Sequence, residues 1–181
     1  MQAIKCFFES WWKNPGMVGS IIPSSSFLVN AMCKQVNTDR SGYIVEIGAG
    51  TGCITEKLIE MGLNNRLFVV ELDDDLYYYF PTANIIHGDA SQLKSLLPEH
   101  VIGNVSQVVS AIPMLNVPAD VRKEIFRSAF DVMSDGGNLI QYTYSPFKPP
   151  YLGDLDGLEC NFVDWTLLNI PPAYIWSFEE I

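Results

Sequence analysis

The sequence predicts one α/β domain: a seven-stranded, mostly parallel sheet with an antiparallel last strand and helices on both faces. Three observations carry this. Apolar, strand-like runs alternate with helix-like segments from residue 43 to residue 145, the order that builds a parallel sheet covered on both sides. A turn with Gly48, Gly50 and Gly52 follows the first run. Two last runs, 160–169 and 173–180, meet at Asn169-Ile170-Pro171-Pro172, a junction too short for a helical crossover, so that pair is antiparallel.

Taken in order, residues 2–13 place Ile4, Phe7, Phe8, Trp11 and Trp12 on one helical stripe, with Gln2, Lys5, Glu9 and Lys13 off it. Asn14-Pro15-Gly16 stops that helix. Residues 1–14 are therefore an amphipathic N-terminal helix and 15–181 the main domain. A second helix follows Pro23, capped by Ser24 or Ser25. Strands are expected at YIVEIG (43–48), RLFVVEL (66–72), ANIIHGD (83–89), VSQVVSAI (105–112) and NLIQYTYS (138–145). Helices are expected at 51–62, 73–80, 91–97 and 118–133, the last followed by Gly136-Gly137. The Pro- and Gly-rich stretch 145–159 is a long loop.

The 181 residues are 48% hydrophobic and 18% charged, the composition of a folded globular chain. No apolar run has the length of a membrane-spanning helix, and the N-terminus lacks the pattern of a signal peptide. Cys6, Cys33, Cys53 and Cys160 are scattered without a CxxC pair, so reduced thiols, a cytoplasmic location and no metal site are expected. The net charge is -10. Residues 1–45 carry a small basic surplus and the remainder is strongly acidic, which argues against broad binding to a nucleic-acid backbone. His87 and His100 are isolated, Asp73-Asp74-Asp75 reads as a helix N-terminus, and Arg122, Lys123 and Arg127 read as a solvated helix face.

VEIGAGTG (45–52) is the strongest local signal. Glycines after a buried strand let backbone approach a ligand at the strand's carboxyl end. Glu71 ends the second strand about twenty residues on, where a carboxylate accepts from ribose hydroxyls. Asp89 ends the third strand in HGDA, where it can accept from an adenine amino group beside Ala90. Together they describe an adenosine pocket. A nicotinamide dinucleotide fits less well, because Cys53 stands where G-x-G-x-x-G needs its third glycine and the last strand pair is antiparallel.

At these residues the chain resembles the Rossmann-like class I S-adenosylmethionine-dependent methyltransferases. GSIIPSS (19–25), VEIGAGTG, VVEL (69–72), HGDA (87–90), SAIPML (110–115), QYTY (141–144) and NIPPAYIW (169–176) resemble, in order, the bacterial phospholipid N-methyltransferases, which methylate phosphatidylethanolamine. The resemblance implies S-adenosylmethionine as cofactor. It puts Ser20, Ile22, Glu46, Gly48, Gly50, Gly52, Glu71, Leu72, Asp89, Ala90 and Ser110 on that cofactor. Ser110 and Ile112, at the end of strand four, are expected to line the methyl-transfer site. Tyr142 and Tyr144, on one face with Ile140, pack in the sheet or offer aromatic faces to a methylated cation.

The related rRNA adenine dimethyltransferases carry Asn-Leu-Pro-Tyr after strand four, whereas this chain has Ala111-Ile112-Pro113-Met114. The amide and ring that hold a flipped base are absent there. Ser20-Ile21 also replaces a Gln-Asn pair of that family, and the sequence stops just past the seventh strand, where that family has an RNA-binding extension. No nucleic-acid partner is expected. Met114 and Leu115 either join the core or border an acyl-chain entrance. Other acceptors on the same fold are a nucleobase or a small soluble amine; a non-catalytic cofactor-binding or membrane-associated protein is the reading of another class. For the lipid reading, the stripe on residues 1–14 is a membrane contact on the inner face of the cell membrane, with Lys5 and Lys13 at lipid phosphates, or a lid over the site. Oligomeric state is not legible.

Overall fold

A computed structural model of the chain describes residues 25–72 and 84–181. The expected N-terminal helix, Ser20 and Ile22, and the expected helix at 73–80 lie outside these residues.

The elements run α1 (Ser26–Cys33), β1 (Tyr43–Ile47), α2 (Cys53–Glu60), β2 (Leu67–Glu71), β3 (Asn84–His87), α3 (Leu93–Leu96), β4 (Val105–Ser110), α4 (Ala119–Phe130), β5 (Met133–Thr143), β6 (Leu158–Thr166) and β7 (Ala173–Glu180). All seven strands form one sheet in the order β3-β2-β1-β4-β5-β7-β6. β1 to β5 are mutually parallel, and β7 runs antiparallel to both its neighbours. The order reverses direction between β1 and β4, which places a ligand crevice at their carboxyl ends.

Side-chain alternation divides the core into two layers. Ile44, Leu67, Val69, Val109 and Ile140 pack with Leu28, Met32, Ile54 and Leu58 of α1 and α2. Val45, Ile47, Val70, Val108 and Leu139 pack with Leu93, Ile125, Phe126 and Ala129 of α3 and α4. Each fully buried side chain of this size is worth about 1.5–3 kcal/mol. Burial on both faces explains why the central strands read as continuous apolar runs rather than alternating ones. Ser25 is the cap of α1, its Oγ accepting the Leu28 N–H at 3.2 Å.

Three elements differ from expectation. β5 begins at Met133, not 138, and contains Gly136 and Gly137. Between Val105↔Met133 and Gln107↔Asn138 the register slips, so the glycines form a bulge inside the strand, where Gly136 takes φ +68°. β5 then ends at Thr143, leaving Tyr144 beyond it. The expected helix at 91–97 is a 3-10 turn, Ala90–Gln92, followed by the single turn of α3. β6 stops at Thr166, so Leu167, Leu168 and Asn169 belong to the β6–β7 turn. Among the described residues no helix is long and apolar enough to cross a membrane, and no cluster of metal-ligating side chains occurs. Cys33 and Cys160 are buried and Cys53 half-buried, all as free thiols.

Candidate active site

The candidate site lies where β1 to β4 end. Sheet-type hydrogen bonds continue past the strands and hold these ends level. Gly48 N–H donates to Val70 O at 2.9 Å, Gly88 N–H to Glu71 O at 2.9 Å, and Ala111 N–H to Ile47 O at 3.0 Å. The first βα turn is built on three left-handed residues, Gly48 (φ +73°), Gly50 (φ +55°) and Gly52 (φ +79°). At Gly48 a second constraint applies: a Cβ would sit 2.4 Å from Ile112 Cγ1. Glycine there lets the end of β4 close against the loop.

Glu71 is half-buried at the end of β2. Its Oε2 accepts the Gly50 N–H at 2.9 Å and its Oε1 the Leu72 N–H at 2.7 Å. Leu72 thus enters the site as the backbone partner of Glu71. Asp89 follows β3 and its Oδ1 accepts the Ser91 N–H at 2.9 Å, capping the turn that begins with buried Ala90. The structure therefore gathers the Gly48–Gly52 loop, Glu71, Leu72, Asp89, Ala90, Ser110 and Ile112 at one end of the sheet.

Glu46 sits elsewhere. It points into the α1–α2 layer, wholly buried, and accepts the Thr55 hydroxyl at 2.7 Å while its Oε1 has no partner. Burial pushes its carboxyl up to about 8, with the Thr55 bond opposing and the Glu71 charge adding. The same burial, reinforced by Glu46, raises the Cys33 thiol to about 12, which keeps it inert.

At the end of β4, Ser110 is fully buried and its Oγ has no partner. Gln141 faces it in register on β5, and Trp176 faces Gln141 on β7. Gln141 Nε2 donates to Ile112 O at 2.9 Å and to Tyr142 O at 2.8 Å, whereas Gln141 Oε1 and Trp176 Nε1 are orphaned. Sequence reasoning missed Gln141 and Trp176, because their neighbourhood with Ser110 arises only from the register of three strands. Tyr142 is buried against the α1–α2 layer, its hydroxyl 3.5 Å from Ala111 O and shifted well above the phenolic range by burial. Tyr144 is exposed, its ring edge-on to Tyr142 at 5.4 Å. The two tyrosines thus divide, one in the core and one at the rim. Met114 joins the core and Leu115 is exposed.

Arg122 is not part of a solvated face. It is buried, donates from Nη1 to Met114 O and Val117 O at 3.0 Å each, and pairs with Asp154 at 3.3 Å. Its guanidinium lies 4.7 Å from the Tyr151 ring centroid. It ties the loop after β4 to the loop after β5. Lys123 and Arg127 are exposed as expected.

No model of a known protein family matches the chain. It is similar to an ornithine lipid N-methyltransferase of Singulisphaera acidiphila, 27% identical over 92% of this chain and 91% of that protein. Its fold matches a TehB-like SAM-dependent methyltransferase of Corynebacterium glutamicum, with a TM-score of 0.61 at 17% identity over 100% of both chains. The chain is an S-adenosylmethionine-dependent methyltransferase with a Rossmann-like fold. The methyltransferase is also 33% identical to ribosomal RNA small subunit methyltransferase A of Marinobacter nauticus, over 60% of its own length. That match spans 39% of the ribosomal enzyme.

The residues of the methyltransferase fit its cofactor. The glycines of the first βα turn expose backbone, carboxylates stand at or just past the ends of the adjacent strands β2 and β3, and a fully buried hydroxyl, Ser110 Oγ, is left without a partner at the end of β4. This is a polar, close-approach lining of the kind an adenosine and an amino acid need.

Proposed function

We propose that the methyltransferase transfers methyl groups to the aliphatic amine of a membrane lipid headgroup, such as phosphatidylethanolamine. The observation that carries this is the match to the lipid N-methyltransferase, which spans 91% of that protein where the ribosomal match spans 39% of its own. The acceptor side agrees. Ala111 and Ile112 stand where a flipped base needs an amide, and the amide of Gln141, beside them, has its Nε2 committed to two carbonyls.

In this reading the Gly48–Gly52 loop, Glu71, Leu72, Asp89, Ala90 and Ser110 hold the cofactor, whose sulfonium supplies an electrophilic methyl group. Glu46 acts from beneath, as a buried support of β1 and α2 through Thr55. Ile112, closed against Gly48, helps exclude water from the reacting centre. The acceptor nitrogen must arrive as the neutral amine and in line, so alignment and loss of its proton are the tasks left to the site. Tyr144, exposed at the rim, offers an aromatic face to the cationic product, worth about 0.5–2 kcal/mol. The stripe of Phe7, Phe8, Trp11 and Trp12 with Lys5 and Lys13 serves as a contact with an anionic membrane surface.

The test is incubation with labelled S-adenosylmethionine in parallel arms. These contain phosphatidylethanolamine vesicles, vesicles with an ornithine lipid, deproteinised ribosomal RNA, and ethanolamine. Label in either lipid is expected, and the two lipid arms name the headgroup. Label confined to RNA or ethanolamine would overturn the proposal.

A further inference from the structure

Among the described residues, the large apolar side chains that the fold leaves exposed are concentrated at the carboxyl end of the sheet, with Ile181 at the other end. The β6–β7 turn carries Leu167 (57% exposed), Leu168 (65%) and Ile170 (75%), and the β5–β6 loop carries Phe147 (78%). β6 ends and β7 begins beside the end of β5, since Thr166 pairs with Ala173 and Thr143 with Tyr174. The turn therefore flanks the same rim as Tyr144 and Leu115. Asn169 Oδ1 accepts the Ser25 N–H at 3.4 Å and its Nδ2 donates to Pro171 O at 2.7 Å. The turn is thus pinned at a buried residue while its three apolar side chains project.

The charge is distributed the opposite way. Trp165 to Tyr174 contains no charged residue. The loops and strand ends at the amino end of the sheet carry exposed Asp39, Glu99, Asp131, Asp135, Glu159 and Glu180. An acidic protein near an anionic surface is repelled unless its acidic end faces away. The β6–β7 turn is thus an apolar, uncharged edge at the site's rim, with a group of exposed carboxylates at the opposite end of the sheet, although Asp120 at the start of α4 and Asp154 in the loop after β5 are exposed as well. A contiguous exposed apolar patch marks an interaction surface. A lipid interface matches its chemistry, being apolar at the depth the side chains reach.

We infer that the β6–β7 turn is a membrane-insertion element, entering a lipid bilayer through Leu167, Leu168 and Ile170 and setting the rim of the site at headgroup level. This rests on the lipid-amine reading and adds a contact separate from residues 1–14. Because apolar insertion carries it, the contribution of the turn does not require anionic lipid.

The experiment uses the full chain, wild type and Leu167→Asp/Leu168→Asp, sedimented with phosphatidylcholine vesicles containing phosphatidylethanolamine. The double variant is expected to lose at least about tenfold in partition, a fraction of what burying two leucines is worth. Its cofactor affinity and its activity on a monomeric short-chain phosphatidylethanolamine stay at wild-type level. Leu168→Trp is expected to raise partition and keeps the test open if the double variant folds poorly. Unchanged partition in either variant would overturn the inference. So would a wild-type dimer that becomes monomeric in the double variant with vesicle binding intact, which assigns the patch to a second copy. Wild type that methylates neither monomeric nor vesicular amino-lipid, yet binds vesicles through this turn, would overturn the lipid-amine reading and leave the insertion element standing.

Discussion

One carboxylate joins two strand ends: Glu71 Oε2 lies 2.9 Å from the Gly50 nitrogen and Oε1 lies 2.7 Å from the Leu72 nitrogen. Glu71 thereby fixes the glycine loop of β1 relative to β2. Glu71→Gln keeps the size but removes the charge and one of two accepting oxygens. A hydrogen bond to a charged group contributes about 1.5–3 kcal/mol. Affinity for S-adenosylmethionine should therefore fall roughly 10- to 100-fold by titration calorimetry. An unchanged Kd would remove Glu71 from the cofactor site.

Gly48 faces two independent constraints, φ +73° and a would-be Cβ 2.4 Å from Ile112 Cγ1. Gly48→Ala is expected to destabilise by about 1–3 kcal/mol and to abolish cofactor binding. Adding Ile112→Ala removes the close contact but not the left-handed backbone. The double variant should recover part of the stability in urea melts, not all of it. Full recovery would show that the contact alone makes glycine necessary.

These positions were legible because backbone demands leave a trace in sequence. A tight turn at a ligand requires glycine, and carboxylates at strand ends fall at readable spacings. The parallel character of the sheet followed from alternation, since a parallel sheet must be covered by the helices between its strands. Arg122 was not legible. Periodicity places it on α4 but carries no record that the carbonyls of Met114 and Val117 and the Tyr151 ring would enclose it. Gly136-Gly137 likewise reads as a break, because a bulge depends on the partner strand β4. The polar row Ser110–Gln141–Trp176 exists only once three strands are in register.

Glu46 makes stability pH-dependent. Its folded pKa, about 8, lies above the ordinary 4.5 because burial disfavours the anion. The native state therefore holds a proton that the unfolded chain releases between these values. Stability should fall as pH rises from about 4.5 to about 8, by on the order of a few kcal/mol. Glu46→Gln keeps a neutral group that accepts from Thr55 at every pH. Its urea midpoint should match wild type near pH 5 and exceed it near pH 9. A variant equally weakened at both pH values would show that the buried group is held as the anion.

Arg122 bridges the loops that follow β4 and β5, and its bonds are unequal. The Met114 and Val117 carbonyls are enclosed, whereas the Asp154 side chain is 46% exposed. A half-exposed ion pair contributes under about 1 kcal/mol, but stranding buried carbonyls costs about 1–3 kcal/mol each. Arg122→Met should therefore lower stability by roughly 3 kcal/mol, and Asp154→Asn by less than about 1. Arg122→Lys keeps the charge but cannot reach both carbonyls and Asp154 with one planar fork, so it should behave closer to Arg122→Met. Urea denaturation of the three variants decides between the two kinds of bond. Equal losses for Asp154→Asn and Arg122→Met would assign the role to the ion pair. A cofactor Kd unchanged in folded Arg122→Lys, with a raised KM for the acceptor, would locate the bridged loops on the acceptor side of the site.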